Sequence, residues 1–360
     1  MPVQRFSPTR LAQAYHDPEA TAALADLCYT DDSTPGIERQ KTGATFRYLY
    51  RGKTVATADL DRIQSLVIPP AWQNVWICKQ PDGHLQATGI DARGRKQYRY
   101  HPRWNAIRNS TKFHHLLQFG EALPQIRQQA QQDLSRPGMP REKLLAALLQ
   151  IMQLTGIRIG NEAYEKIYGS FGLTTLKNKH VTRTGNQLTF EFKGKKGVYQ
   201  SIRLQSRKLS GIIQKCLEIP GKELFQYLDE TGARHTIDSG AVNSYIRSCS
   251  GGQFSAKDFR TWQGTLQALK SLQTQGCCED EKEIKQRLST MLEAVSGKLG
   301  NTQTVCRKYY IHPTIIDLYS NGQLEPYFKS KPKTVEGLEP EEQLLLHILR
   351  KSSLPVVLPS

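Results

Sequence analysis

Asp91-Ala92-Arg93-Gly94-Arg95-Lys96-Gln97-Tyr98-Arg99-Tyr100-His101-Pro102-Arg103, residues 91–103, is where this chain changes texture. Asp91 to Lys96 reads as a basic turn, and Gln97-Tyr98-Arg99-Tyr100 alternates as a half-exposed strand does. Leu85 to Ile90 reads as the strand before that turn. Asn74-Val75-Trp76-Ile77-Cys78 precedes it, joined through Pro81-Asp82-Gly83, a strong turn signal. Segments 45–50 and 54–57 are β-like around a turn at Arg51-Gly52-Lys53. Residues 1 to about 40 are mixed, with Asp31 to Gly36 reading as a loop. The pattern turns helical beyond residue 103. Segments 104–133 and 141–155 are predicted helices, separated at Pro137 to Pro140. The second carries Leu144, Leu148, Ile151 and Leu154 near helical period. One β interruption follows. Leu188 to Lys193 alternates cleanly, Gly194-Lys195-Lys196-Gly197 turns, and Val198 to Leu204 returns as the second arm of a hairpin. Residues 206–349 read as mostly helical, with loops around Gly232, Gly251-Gly252 and Gly300. Ser352 to Ser360 reads as a loose tail. The expected fold is α+β: a sheet-rich domain over residues 1–103 and a mainly α-helical domain over 104–360 that carries the small hairpin.

A chain of 360 residues is long enough for two domains, each with its own core. No apolar run approaches the ~20 residues of a membrane span. The N-terminal Met1-Pro2-Val3-Gln4-Arg5-Phe6 lacks the order of a signal peptide, so a cytoplasmic protein is expected. Seven cysteines are scattered without a C-x-x-C pair, which suggests reduced thiols and neither a zinc site nor a disulfide framework. The formal net charge is +16, and it is clustered. Ala92 to Gly120 holds seven lysines and arginines with no acid, and Lys177 to Lys208 holds nine with one acid, Glu191. Two acid-poor clusters in different parts of the chain point to a nucleic-acid partner, bound through its phosphates. The acids gather in Glu279-Asp280-Glu281 and in Glu339 to Glu342.

No phosphate loop, dinucleotide glycine fingerprint or H-E-x-x-H is present, so neither ATP nor a metal is called for. Phosphate chemistry without a metal needs arginine, lysine or histidine for the developing charge and a proton donor for the leaving oxygen. Four segments could supply these. Gly156-Ile157-Arg158-Ile159-Gly160-Asn161 follows an apolar helix and places an arginine where backbone approaches closely; it reads equally as a buried structural arginine. Lys257-Asp258-Phe259-Arg260-Thr261-Trp262 offers a second arginine, with an acid beside it that could form a salt bridge. Lys195 and Lys196 occupy the hairpin tip, where a lysine is ordinarily just solvated. Lys298 to Tyr310 places Tyr310 beside Arg307 and Lys308. Taken alone, that segment reads as a helix-end tyrosine in a cationic surface, since a phenol with a pKa of about 10 is a poor nucleophile unless cations assist it.

The order arginine, hairpin lysine, arginine, small polar residue, tyrosine resembles the type IB DNA topoisomerases in their compact poxvirus and bacterial form. The resemblance spans roughly residues 40–325. Its specific pieces are Gly94-Arg95-Lys96-Gln97-Tyr98, Arg158-Ile159-Gly160, Leu173 to His180, Lys257-Asp258-Phe259-Arg260-Thr261 and Gly300 to Tyr310. The resemblance implies that Tyr310 attacks a DNA phosphate and becomes linked to its 3′ side. It makes Arg158 and Arg260 the clamp on the non-bridging oxygens and Lys195 the acid for the departing 5′ oxygen. Lys257 matches a further basic residue beside the phosphate. Gln97, Tyr98 and Tyr100, next to Arg95 and Lys96, match positions that touch DNA. The family usually has histidine where Asn301 stands; an amide can donate a hydrogen bond there but carries no charge. The doubled Tyr309-Tyr310 leaves the nucleophile open to a one-residue shift, with the spacing from Gly300 favouring Tyr310. The implied protein is a nucleoid-associated enzyme that relaxes duplex DNA without ATP, metal or other cofactor. Its two lobes would form a clamp on double-stranded DNA and work as a monomer. A tyrosine recombinase and a catalytically silent DNA-binding protein are the alternatives; the sheet-rich N-terminal domain speaks against the first.

Overall fold

The computed structural model describes residues 3–4, 10–11, 14–15, 17–43, 45–351 and 356–357. It divides into two compact units, Met1–His115 with Leu354–Ser360, and Leu116–Ser353. The division falls inside a long helix rather than at its start, where the change of sequence pattern lies. The observed class is α+β, with antiparallel strands concentrated in the first unit and helices in the second.

In the first unit β1 (Val3–Gln4) pairs with β13 (Val356–Val357), so part of the expected tail is a strand; the rest of 352–360 lies outside the described residues. Helix α1 (Pro18–Leu24) starts at Asp17, whose carboxylate accepts the Glu19 and Ala20 N–H groups. A six-stranded antiparallel sheet follows: β2 (Ile37–Thr42), β3 (Thr45–Tyr50), β4 (Lys53–Thr54), β5 (Gln73–Ile77), β6 (Leu85–Ile90) and β7 (Lys96–Tyr100), in the order β4-β3-β2-β5-β6-β7. Helix α2 (Thr57–Ser65) claims Thr57, which cuts the β-like stretch 54–57 down to Thr54. Strand β2 escaped the sequence reading because only Ile37 of its six residues is buried. Its place is fixed by ladders on both sides and by Arg39, which donates to the Pro69 and Trp72 carbonyls and lies over the Phe46 ring. The sheet and α2 enclose Ile37, Val55, Ile63, Val75, Ile77 and Ala87.

Helix α3 (Pro102–Leu134) leads to the second unit, followed by α4 (Arg141–Thr155) and α5 (Glu162–Tyr168). The predicted stripe on α4 is too narrow: Leu145, Ala146, Ala147, Leu149 and Met152 are buried as well, because α4 is covered on nearly every side. Leu154, assigned to the stripe, is 52% exposed. The hairpin is present as β9 (Gln187–Lys193) and β10 (Tyr199–Gln205), with Leu188 opposite Leu204 and Phe190 opposite Ile202. A third strand, β8 (Val181–Thr184), adds to β9. Then come α6 (Arg207–Glu218), the ribbon β11 (Gln226–Leu228) and β12 (Arg234–Thr236), α7 (Ser239–Ser250), α8 (Ala256–Gln275) and α9 (Glu281–Leu299). Helices α10 (Gln303–Tyr309), α11 (Pro313–Ser320), α12 (Glu325–Lys329) and α13 (Pro340–Lys351) complete the unit.

The acidic-apolar stretch near the end is α13, docked by Leu345, Leu346, Ile348 and Leu349. Its Glu342 side chain is 3% exposed, accepts both Arg127 Nη groups at 2.7 and 2.8 Å, and takes the Trp262 Nε1 proton at 3.0 Å. Burial raises the Glu342 pKa, but the bonds from Arg127 and Trp262 outweigh it and hold the carboxyl below its ordinary 4.5. The stabilisation from this group is therefore present above pH 4.5 and lost as pH falls through the lowered value. Glu342→Ala leaves the Trp262 N–H without its acceptor and Arg127 with only the Gly337 carbonyl. It should cost roughly 3 kcal/mol in urea unfolding at neutral pH, with the gap to the parent closing in strong acid. A gap independent of pH would contradict this role.

Candidate active site

Two helix ends make the site. A helix leaves its last carbonyls without intrahelical donors, and a glycine in the left-handed region lets the chain turn away from them. Helix α4 ends at Gly156 with φ 70°, and α9 ends at Gly300 with φ 58°. Arg260, in the second turn of α8, donates to the carbonyls of both ends: Nη1 to Gly156 O, and Nη2 to Leu299 O at 2.8 Å. Arg158, just beyond α4, donates through Nη2 to Gly300 O at 3.0 Å and to Asn301 Oδ1. Gly160 and Gly172 approach so closely that a Cβ on Gly172 would meet the Gly160 backbone at 2.5 Å, which fixes the strand of chain carrying Arg158.

The acid beside Arg260 does not pair with it. Asp258 turns back to its own helix start, accepting the Ser255 N–H and Oγ–H at 2.9 Å each, a capping box. Among the described residues, neither Arg158 nor Arg260 forms an ion pair with a carboxylate. Arg260 is only 5% exposed. Burial, then the neighbouring Arg158 cation, brings its pKa down to about 10, so it stays charged at neutral pH. Burial lowers Arg158 as well. Two adjacent cations, Arg260 buried and Arg158 half-buried, each held by helix-end carbonyls and by no acid, are ready for an external anion.

Tyr310 ends α10, and its half-buried ring lies under Arg260, 5.2 Å from ring centroid to guanidinium carbon. The phenol stands within hydrogen-bonding reach of Arg260. Tyr309 points elsewhere, 42% exposed with the Lys308 ammonium over its ring. The Asn301 oxygen is occupied by Arg158, which leaves its Nδ2 as the donor without a partner among the described residues. Lys195 stands exposed in a tight turn between β9 and β10, and lines one small cavity together with Arg158, Arg260, Gly194 and Gln200. Lys257 is exposed on the first turn of α8. The structure thus brings Arg158, Arg260, Asn301 and Tyr310 together, with Lys195 on the cavity that the two arginines line.

Three neighbours went unread in the sequence. Lys298, at the end of α9, lines the same cavity, and burial lowers its pKa. Gln200 lays its amide over Gly300, where a Cβ would stand 2.8 Å from the Gln200 amide oxygen. Cys306, fully buried, faces the two arginines; burial pushes its thiol up. The cationic helix terminus was the one available signal, for Lys298.

The DNA-contact candidates lie in the first unit on and beside the edge strand β7. Its period of two puts Lys96, Tyr98 and Tyr100 on one face, with Tyr98 stacked on Tyr100 at 5.9 Å and Tyr100 on Trp104 at 6.0 Å. Gln97 turns the other way and donates to Asp91 at 3.1 Å. The basic residues are engaged: Arg95 Nε donates to Asp91 at 2.7 Å, and Lys96 pairs with Asp32 at 2.6 Å. Arg95, followed by the turn's own N–H groups, holds the Asp91 carboxyl at about 2.

A tyrosine beside two acid-free guanidiniums on a strongly basic chain marks an enzyme that works on phosphate esters of a polyanion. The chain matches the catalytic core of eukaryotic DNA topoisomerase I over residues 101–332 and the N-terminal domain of bacterial DNA topoisomerase IB over residues 45–91. It belongs to the type IB DNA topoisomerases. A DNA topoisomerase 1B of Acanthamoeba polyphaga mimivirus is 32% identical over 324 residues, 88% of this chain and 94% of its own. The DNA topoisomerase 1B of vaccinia virus (strain Copenhagen) is 22% identical over 64% of this chain and 71% of its own. The post-cleavage complex of the XerH site-specific recombinase superposes with a TM-score of 0.32 and 16% identity over 51% of this chain and 46% of its own, too slight a likeness to bear on the reading.

If the arginine pair is an anion site, inorganic phosphate at 100 times its Kd should stabilise the protein by about 2.7 kcal/mol. The Arg158→Ala/Arg260→Ala double variant should lose that gain in thermal unfolding. An equal gain in both proteins would place the bound phosphate elsewhere.

Proposed function

We propose that this topoisomerase relaxes supercoiled duplex DNA by cutting and resealing one strand through a covalent 3′-phosphotyrosine on Tyr310, without ATP or metal. The observation that carries this is the pair of acid-free guanidiniums beside Tyr310, buried Arg260 over its ring and half-buried Arg158 next to it. In cleavage, the Tyr310 oxygen attacks the phosphorus and gives up its phenolic proton to solvent. Arg158 and Arg260 meet the charge that grows on the non-bridging oxygens, the work a metal ion does in other phosphoryl-transfer sites. The bond from phosphorus to the 5′ oxygen breaks, and Lys195 supplies the proton that oxygen takes up. The Asn301 Nδ2 is the remaining neutral donor for a phosphate oxygen. After the free strand swivels, the 5′ hydroxyl attacks the phosphotyrosine, Lys195 recovers its proton, and Tyr310 leaves. The phosphotyrosine keeps the bond energy, so resealing needs no fuel.

The same reading assigns Lys257 to the phosphate neighbourhood. Tyr98, Tyr100 and Gln97 would contact the duplex, and Arg95 and Lys96 would trade their carboxylates for DNA phosphates. An exposed ion pair is weak, about 1 kcal/mol or less, so the exchange is cheap.

Supercoiled plasmid incubated with the protein in EDTA and without ATP should be relaxed, and detergent should trap a protein–DNA adduct. Tyr310→Phe should abolish the adduct while DNA binding persists, whereas Tyr309→Phe should retain it. Arg260→Lys, which cannot span two helix ends and an anion together, should slow cleavage about 10²- to 10³-fold. Asn301→His should keep or raise the cleavage rate. Band retardation with no adduct from the parent protein would sink the reading.

A further inference from the structure

Helix α8 touches Tyr310 at more than Arg260. Gly264 and Thr265, one helical turn beyond Arg260 and Thr261, lie on the same side of the helix as those residues. Both meet the backbone at the end of α10. A Cβ on Gly264 would stand 2.5 Å from the Tyr310 carbonyl oxygen and 3.1 Å from the Tyr310 Cβ, so the nucleophile's main chain occupies the space a side chain would take. The Thr265 hydroxyl is fully buried. It accepts the His312 N–H at 3.0 Å and has two carbonyls for its one proton, Thr261 O at 2.9 Å and Tyr310 O at 3.3 Å. The chain on either side of Ile311 is therefore held by a single hydroxyl. The Ile311 N–H is fixed separately, on Cys306 O at 3.0 Å.

A tyrosine side chain has two rotatable bonds, and its oxygen sits far from its Cα. Small shifts of the backbone become large displacements of the attacking atom. We propose that Thr265, together with Gly264, is a positioning residue for the Tyr310 nucleophile: it sets the spacing between the phenol and the guanidinium of Arg260 by tying the Tyr310 backbone to the helix that carries Arg260. Thr265 touches no substrate. Its effect belongs to the chemical step, because displacing a reacting group by about 1 Å costs on the order of 100-fold in rate. The inference rests on Tyr310 being the nucleophile.

Thr265→Val keeps the shape and removes the hydroxyl. In single-turnover cleavage of duplex DNA it should be about 10- to 100-fold slow, with DNA affinity close to the parent's. Thr265→Ser, which restores the hydroxyl, should recover the rate. A substrate with sulfur in place of the 5′ bridging oxygen separates positioning from acid catalysis. Sulfur leaves without needing a proton, so it should rescue Lys195→Ala and leave Thr265→Val slow. Gly264→Ala keeps the hydroxyl but crowds the Tyr310 carbonyl, and should be slow in the same way; it carries the test if the valine variant does not fold. Parental cleavage rates in Thr265→Val or Gly264→Ala, a defect confined to DNA affinity, or rescue of Thr265→Val by sulfur would overturn the proposal. An adduct that persists in Tyr310→Phe would instead overturn the assignment of the nucleophile on which it rests.

Discussion

Two adjacent guanidiniums, one buried and one half-buried, without an acid are the constraint on which this catalytic unit turns. Removing a cation from water is expensive, and a second cation beside it adds repulsion. The fold meets this with peptide carbonyls, drawn from the ends of α4 and α9, in place of a carboxylate. The choice matters chemically. A carboxylate would neutralise Arg260 and compete with any phosphate for it, whereas carbonyls accept from its two Nη groups and leave its charge. The adjacent acid, Asp258, is spent on capping its own helix. Charge is thereby stored in a form that only an incoming anion discharges.

Helix α8 carries most of the consequences. Along its length it presents Arg260 to two helix ends, Trp262 to Glu342, Gln263 to the Met152 carbonyl of α4, and Gly264 with Thr265 to the Tyr310 backbone. The rigidity needed to hold a phenol against a guanidinium comes from this sharing of one element. Lys195 is built differently. It stands on an exposed turn between two strands, where Lys196 takes φ 62°, and no helix-end carbonyl holds it as the arginines are held.

The legible parts of the sequence were those with local signatures. Hairpin β9–β10 showed itself by alternation, and the helix breaks by Gly156, Gly251 and Gly300, all observed with positive φ. The family resemblance supplied the order Arg158, Lys195, Arg260, Asn301, Tyr310, and the fold collects four of these at one place with Lys195 at the edge. What stayed hidden depends on contacts between distant segments. Arg158 meets Gly300 across 142 positions and Arg260 meets Gly156 across 104, and no periodicity encodes which carbonyl an arginine will find. Thr265 looked like one more residue of a helix. Strand β2 was missed because its polar residues hide a ladder made by the backbone, and Leu154 was placed inside because periodicity cannot tell a stripe from an all-round burial.

The Glu342 tie has a further consequence during synthesis. Its two partners, Arg127 and Trp262, emerge from the ribosome long before it, and Trp262 sits two residues from Arg260. Until α13 is made, the helix that aims the arginine and seats the tyrosine lacks a buried hydrogen-bond acceptor at its outer face. The nascent chain holds Arg158, Arg260 and Tyr310 before it holds the helix whose carboxylate ties Trp262. A chain halted short of α13 would expose an apolar face and an unpaired tryptophan, features that quality-control proteases recognise.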